Sequence, residues 1–169
     1  MEITTPRLIL RPVRRSDLDD LFAVFSDPRA MAYWSTPPHE SRARTADWIE
    51  SMIDGDSPGP ALDFIIEHDG RAVGKAGFWK PPEIGYILHP DLWGRGLARE
   101  ALEAVIDRAF GVGGLTEVRA DVDPRNAASL GLLARLGFER TGFAARTWNV
   151  GGVWCDSVYL TLKRPDGAA

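Results

Sequence analysis

"HPDLWGRGLAREALEAVI", His89 to Ile106, sets two glycines two residues apart directly before an amphipathic helix. A turn needs one flexible residue, and this one has Gly94, Gly96 and then a small Ala98. The spacing clears side chains from a helix N-terminus, whose first amides point outward without partners and attract an anion. A tight strand-to-helix turn with no ligand would use the same residues, and short glycine motifs also match by chance. The surrounding order of elements therefore has to decide between the two.

Outward from that helix, Leu97 to about Phe110, the pattern reads β α α β β β α β α β β. "RLILRPV" (Arg7–Val13) alternates like a half-buried strand. Ser16 is placed to cap the first helix, "SDLDDLFAVFS", and Ser41 the second, "RARTADWIESMID", which Gly55 ends. "GDSPGP" reads as a flexible connection. "ALDFIIEH" and "RAVGKAGFWK" are joined by Asp69-Gly70, a hairpin signal, and "EIGYILH" follows. After the glycine turn and its helix come the strand "LTEVRADV" and the helix "NAASLGLLARLG", capped by Asn126 and ended by Gly137. Two more strands, "FERTGFAARTWNV" and "VWCDSVYLTLKR", close the chain. The fold class is α/β: a mixed sheet of about seven strands, with a central β-α-β crossover and helices on both faces. A P-loop is excluded, because Leu97, Ala98 and Arg99 stand where it needs Lys-Ser/Thr. A dinucleotide-binding fold opens with its glycine turn, and here hairpins come first.

At 169 residues, with 44% hydrophobic and 26% charged residues, the chain reads as a single domain over residues 1–169. A net charge of −4 argues against sequence-independent nucleic-acid binding. The single cysteine, Cys155, excludes an internal disulfide and fits a cytoplasmic location. No long apolar stretch suggests a signal peptide or membrane span. His39, His68 and His89 lack metal-site spacing, so no metal is expected. The oligomeric state stays open between monomer and homodimer.

Four pieces in this order resemble the GNAT acyltransferase superfamily, and within it the ribosomal-protein N-acetyltransferase (RimJ/RimL-like) branch. They are "TPRLILRP", "EIGYILHPDLWGRGLAREA", "VDPRNAASLGLLARLGFERTG" and "DSVYLTL". Residues 16–60 match only loosely. The resemblance implies acetyl-CoA as co-substrate, its pyrophosphate held by the backbone amides of Gly94, Arg95, Gly96, Leu97, Ala98 and Arg99. It implies that "GYILHP" splays from "LTEVRADV" to admit pantetheine, which pairs with backbone groups of Tyr86, Ile87 and Leu88. Asn126, besides its capping role, would meet the cofactor arm. Many members carry a tyrosine at the position of Leu133 to protonate the leaving thiolate. Leu133 cannot do this, and the resemblance passes the role to Ser129. Trp93 stands where the family often has Gln or Arg, a departure shared by the RimJ/RimL-like branch.

Acetyl transfer needs a neutral amine as the attacking group. Near pH 7.5 a lysine side chain is neutral only about 0.1% of the time, and an α-amine about a third of the time. The base candidate is Glu83, acting directly or through water, and the bland reading is a solvated strand-end carboxylate. Asp156 matches an acid common near the end of this branch, and either contacts the acceptor or binds a neighbouring Arg. Trp34, with Tyr33, Trp79, Arg146, Trp148 and Trp154, offers walls for an acceptor or ordinary packing. So thin a base signal favours a protein N-terminal α-amine as acceptor. The alternatives are a small-molecule amine (amino acid, polyamine or antibiotic) and an acyl-CoA-binding sensor without turnover.

Overall fold

The computed structural model describes residues 2–55 and 62–166. In chain order the elements are β1 (Ile3–Thr4), β2 (Ile9–Arg11), α1 (Leu18–Phe25), α2 (Arg42–Asp54), β3 (Asp63–His68) and β4 (Arg71–Lys80). They continue with β5 (Glu83–Leu88), α3 (Leu97–Phe110), β6 (Glu117–Val122), α4 (Ala127–Arg135), β7 (Glu139–Val150) and β8 (Val153–Lys163). The strands form one sheet in the order β1-β2-β3-β4-β5-β6-β8-β7. Every neighbouring pair is antiparallel except β5 with β6, the pair joined through α3. All seven expected strands are present, and the eighth is the two-residue β1, paired with β2 at Ile3–Leu10 and Thr4–Ile9. Apart from Gly55, the "GDSPGP" connection lies outside the described residues.

Local chemistry explains most boundaries. Ser41 Oγ accepts from Arg44 N at 3.3 Å, and Gly55 closes α2 at φ +87°. Asp69 and Gly70, both at positive φ, turn β3 into β4. The first helix starts differently from the sequence reading. Ser16 does not cap it, because residues 15–17 form a 3₁₀ turn and α1 begins at Leu18. Asp17 organises this turn instead. Its carboxylate accepts from Arg14 N at 2.8 Å and takes both ends of the buried Arg11 guanidinium at 2.8 and 2.9 Å.

Strand parity divides the core in two. Phe64, Ile66, Ala76, Phe78, Ile84 and Leu88 pack with α3 and with Leu133 of α4. Ile65 and Ile87 turn the other way, onto Leu21, Val24 and Phe25 of α1 and Ile49 of α2. Helices therefore cover both faces, as expected. The α3 stripe Leu97, Ala101, Leu102, Val105, Ile106 and Ala109 recurs at helical spacing and is buried. Truncating Leu102 to Ala should cost about 2–5 kcal/mol, because the fully buried site cannot collapse around the loss. On the α1/α2 face the cluster contains no residue of β6, β7 or β8, so that half of the sheet is left uncovered by these helices. Lys75 and Asp63 form a buried ion pair at 2.6 Å on this face.

Candidate active site

The glycine turn has the geometry that an anion cradle needs. Gly94 and Gly96 sit at φ +74° and +75°, a region where a side chain is strained. A Cβ at Gly94 would meet nothing within 4 Å, so the space above the loop is open. Gly96 is the N-cap of α3 and brings no side-chain cap. The amides of Leu97, Ala98 and Arg99, the first three of a 14-residue helix, thus face outward at its positive end. Arg95 and Arg99 lie exposed beside them, Arg99 paired with Glu103 at 2.8 Å. Beneath the loop, Arg7 Nη1 donates to the Arg95 carbonyl at 2.7 Å, and Arg7 Nε donates to Glu100 at 2.7 Å. Burial would raise the Glu100 pKa, but hydrogen bonds from Thr5 and Arg7 outweigh it and hold the carboxyl below its ordinary range. The sequence reading gave neither Arg7 nor Glu100 a role.

Next to the loop the sheet opens. β5 and β6 share one pairing, Glu83 with Arg119, closed by Arg119 N donating to Pro82 O at 2.8 Å. Beyond it the two strands have no further register partners. His89 N donates to Val73 O, so residues 89, 87 and 85 turn their backbone groups toward β4. Tyr86 and Leu88 by parity turn theirs toward the gap, whereas the Ile87 backbone faces β4. The Leu88 carbonyl is engaged there by the Trp93 indole N–H at 2.9 Å.

Helix α4 lies on the α3 side of the sheet, with Ser129 beside Tyr86 of β5. Asn126 Oδ1 accepts from Ser129 N at 3.1 Å, which confirms its capping role. One turn on, Leu133 is fully buried. Ser129 Oγ forms a hydrogen bond with the Tyr86 hydroxyl, which joins two residues that the sequence assigns separately. Burial pushes the Tyr86 phenol above its ordinary pKa, and the bond to Ser129 offsets this only in part.

The opposite face carries Glu83 and Trp34, whereas Asp156 shares the strand parity of Val158 and Leu160. Glu83 is half-buried at the closed end of the gap. It stands three positions before Tyr86, so its side chain leaves from the other face, roughly 10 Å along the strand. Between Glu83 and Ile87, a Cβ at Gly85 would meet nothing within 4 Å. Asp121 of β6 accepts from the Trp148 indole at 2.9 Å, a pair missed in the sequence because it spans β6 and β7. Trp34 packs edge-on to Phe25, with ring centroids 6.2 Å apart. Asp156 Oδ1 accepts from Arg146 N at 2.9 Å, at the β7 bulge where Arg146 has φ +54°. Arg125, paired with Asp123 at 2.7 Å, lies over the Tyr33 ring at 5.5 Å and ties the aromatic loop to the start of α4. Among the described residues no group of three or more metal-ligating side chains assembles, and no helix is long and apolar enough to cross a membrane.

A glycine-led helix beside one opened parallel pair is an arrangement for an extended donor with an anionic end. Comparison with known proteins gives the class. Residues 7–139 match the acetyltransferase (GNAT) domain, and the chain belongs to that family. It is 33% identical to the uncharacterised N-acetyltransferase p20 of Bacillus licheniformis, over 82% of each chain. It is also 29% identical to the L-methionine sulfoximine/L-methionine sulfone acetyltransferase of Pseudomonas aeruginosa, over 91% of this chain and 93% of that one. The fold superimposes at a TM-score of 0.85 on a Salmonella typhimurium acetyltransferase that modifies the N-terminal serine of a 50S ribosomal subunit protein. That match is 18% identical and covers 98% of this chain and 100% of the other. The protein is an N-acetyltransferase, which sets aside the sensor reading, and enzymes of this family use acetyl-CoA.

Proposed function

We propose that this enzyme moves the acetyl group of acetyl-CoA to a protein N-terminal α-amine, in the manner of the RimJ/RimL-like branch, as a single cytoplasmic domain. The open loop and unladdered gap fit the donor. The amides of residues 94–99 would hold the pyrophosphate. The gap-facing backbone of Tyr86, together with Leu88 N–H, would pair with pantetheine, and Asn126 would border the cofactor arm. Ser129 would supply the proton to the leaving thiolate.

The observation that carries the acceptor class is the position of Glu83. It stands half-buried at the closed end of the gap, on the face away from Ser129, and in this reading it acts on the amine through water. An amine that is neutral on its own needs no more than that. An α-amine meets the condition about a third of the time near pH 7.5, and a lysine about 0.1% of the time. The open face over Gly85, beside the uncovered half of the sheet, is where the acceptor would approach, with Trp34 on its flank, while Asp156 would meet the acceptor from the β7–β8 hairpin. The second reading is a small-molecule acceptor: the Pseudomonas relative acts on L-methionine sulfoximine and L-methionine sulfone, whose α-amines are more basic than a peptide N-terminus. Both readings are tested by offering a short peptide with a free N-terminus and one internal lysine against free amino acids and polyamines, with mass spectrometry to locate the acetyl group. Acetylation at the peptide N-terminus supports the proposal. Turnover of small amines alone transfers it to the second reading.

A further inference from the structure

We propose that Tyr86 is a positioning residue for the proton donor: its phenol donates to Ser129 Oγ and leaves the Ser129 proton aimed at the departing sulfur. The proposal rests on the reading of Ser129 as the acid. Ser129 has one hydroxyl hydrogen. If that hydrogen points at Tyr86, none remains for sulfur, so the direction of the bond decides whether Ser129 can act. A phenol, with reference pKa about 10, is a far stronger donor than an alkyl hydroxyl. Burial raises the Tyr86 pKa further, so the phenol keeps its proton throughout the working range. On a helix, an unattached serine hydroxyl turns back onto a carbonyl of the preceding turn. Tyr86 holds Ser129 Oγ from the strand side, and Asn126 holds the Ser129 backbone from the helix start. Leu133 offers no hydroxyl in competition.

The chemistry balances without a further reagent. The amine nitrogen bonds to the acetyl carbon, the C–S bond breaks, and its electron pair goes to sulfur. Sulfur takes the Ser129 proton. In the same step the proton shed by nitrogen reaches Ser129 Oγ through water, so no serine alkoxide forms, and the Tyr86 hydroxyl holds that oxygen in place by hydrogen bonding.

The test compares Tyr86→Phe, Ser129→Ala, Ser129→Thr and the Tyr86→Phe/Ser129→Ala double variant. It uses steady-state and single-turnover kinetics, with CoA affinity by calorimetry and melting temperature as the check on folding. Phe keeps the ring and its packing. Tyr86→Phe and Ser129→Ala should each lower the chemical step by about 10- to 100-fold with KM for acetyl-CoA little changed. The double variant should be no slower than Ser129→Ala, because the two act as one unit. Ser129→Thr, which keeps a hydroxyl for Tyr86 to meet, should retain most of the rate, and this rescue tests the pair without altering Tyr86. A slow Ser129→Ala beside a normal Tyr86→Phe overturns the Tyr86 role and leaves Ser129 as acid. Normal rates in both overturn the acid reading and Tyr86 with it. Multiplying losses in the double variant, or a Tyr86→Phe defect confined to CoA affinity, make Tyr86 an independent wall of the donor slot and overturn the proposal.

Discussion

Arg7 reaches across the molecule to Glu100 in the first turn of α3, and the same guanidinium holds the Arg95 carbonyl in the glycine loop. A residue between β1 and β2 therefore fixes the conformation of a loop 88 positions later. Arg7 is half-exposed, so its ion pair adds little stability, about 0–1 kcal/mol. In the proposed reading its value lies in a loop ordered before the donor arrives. Arg7→Ala should leave the melting temperature nearly unchanged and weaken CoA binding by roughly two- to tenfold, the cost of ordering about one side chain's worth of freedom. Calorimetry on the variant checks this. Glu100 gives the effect a pH sign. Its folded pKa is depressed, so its contribution is present above the unfolded value, near 4.3, and is lost as pH falls through the lower folded value. CoA affinity should fall more steeply below pH 4 in the wild type than in Glu100→Gln.

Replacing Gly96 with Val places a β-branched side chain at φ +75°, with Arg7 Nη2 at 3.5 Å from the new Cβ. The backbone strain is about 1–2 kcal/mol, below the stability of an ordinary domain, so the variant should fold. CoA binding should be lost, because the outward amides shift and the approach is blocked. A folded Gly96→Val protein with undiminished CoA affinity would remove the pyrophosphate from this loop.

Gly85 offers a way to separate acceptor from donor. Its φ lies outside the left-handed region and a Cβ meets open space, so Gly85→Val should fold normally. The added side chain projects from the face of Glu83, away from Tyr86 and Ser129. KM for the amine should rise, by about tenfold or more for the loss of a well-oriented approach, with CoA affinity unchanged. Equal effects on both ligands would place the acceptor elsewhere.

For an α-amine acceptor, kcat/KM should rise with pH and level off near 8, following the amine's own titration. Glu83→Gln should then cost less than about tenfold, the small share left to a base acting through water. A profile still climbing above pH 9, together with collapse in Glu83→Gln, would mark a lysine-directed enzyme with Glu83 as its essential base.

What the sequence shows and what it hides divide along a physical line. The residues 97–110 helix was readable to its ends, because Gly96 and Gly111 bracket an uninterrupted apolar stripe. Asn126, Ser41 and the Asp69-Gly70 turn were readable because their partners lie within a few residues. Ser16 misled because Asp17 is claimed by Arg11 of β2, a tertiary contact that moved the helix start. β1 was invisible because two residues carry no periodicity. Tyr86 was assigned for its backbone. That its hydroxyl meets Ser129 depends on how α4 docks beside β5, which no local pattern records. Asp156 likewise serves the β7 bulge, a feature set by the hairpin register.

The lone bridge between Glu83 and Arg119 also has a mechanical meaning. The neighbouring ladders, β4 with β5 and β6 with β8, carry six register pairs each, and the seam between them carries one. Backbone cohesion therefore runs within two half-sheets and scarcely between them. A molecule with amides along its length, laid in that seam, acts as a strand that belongs to no chain. Its binding free energy becomes sheet cohesion: at a hundred times its Kd it would add about 2.7 kcal/mol to stability. Amide exchange at Tyr86 and Leu88 should then slow before that of any residue on the outer strands.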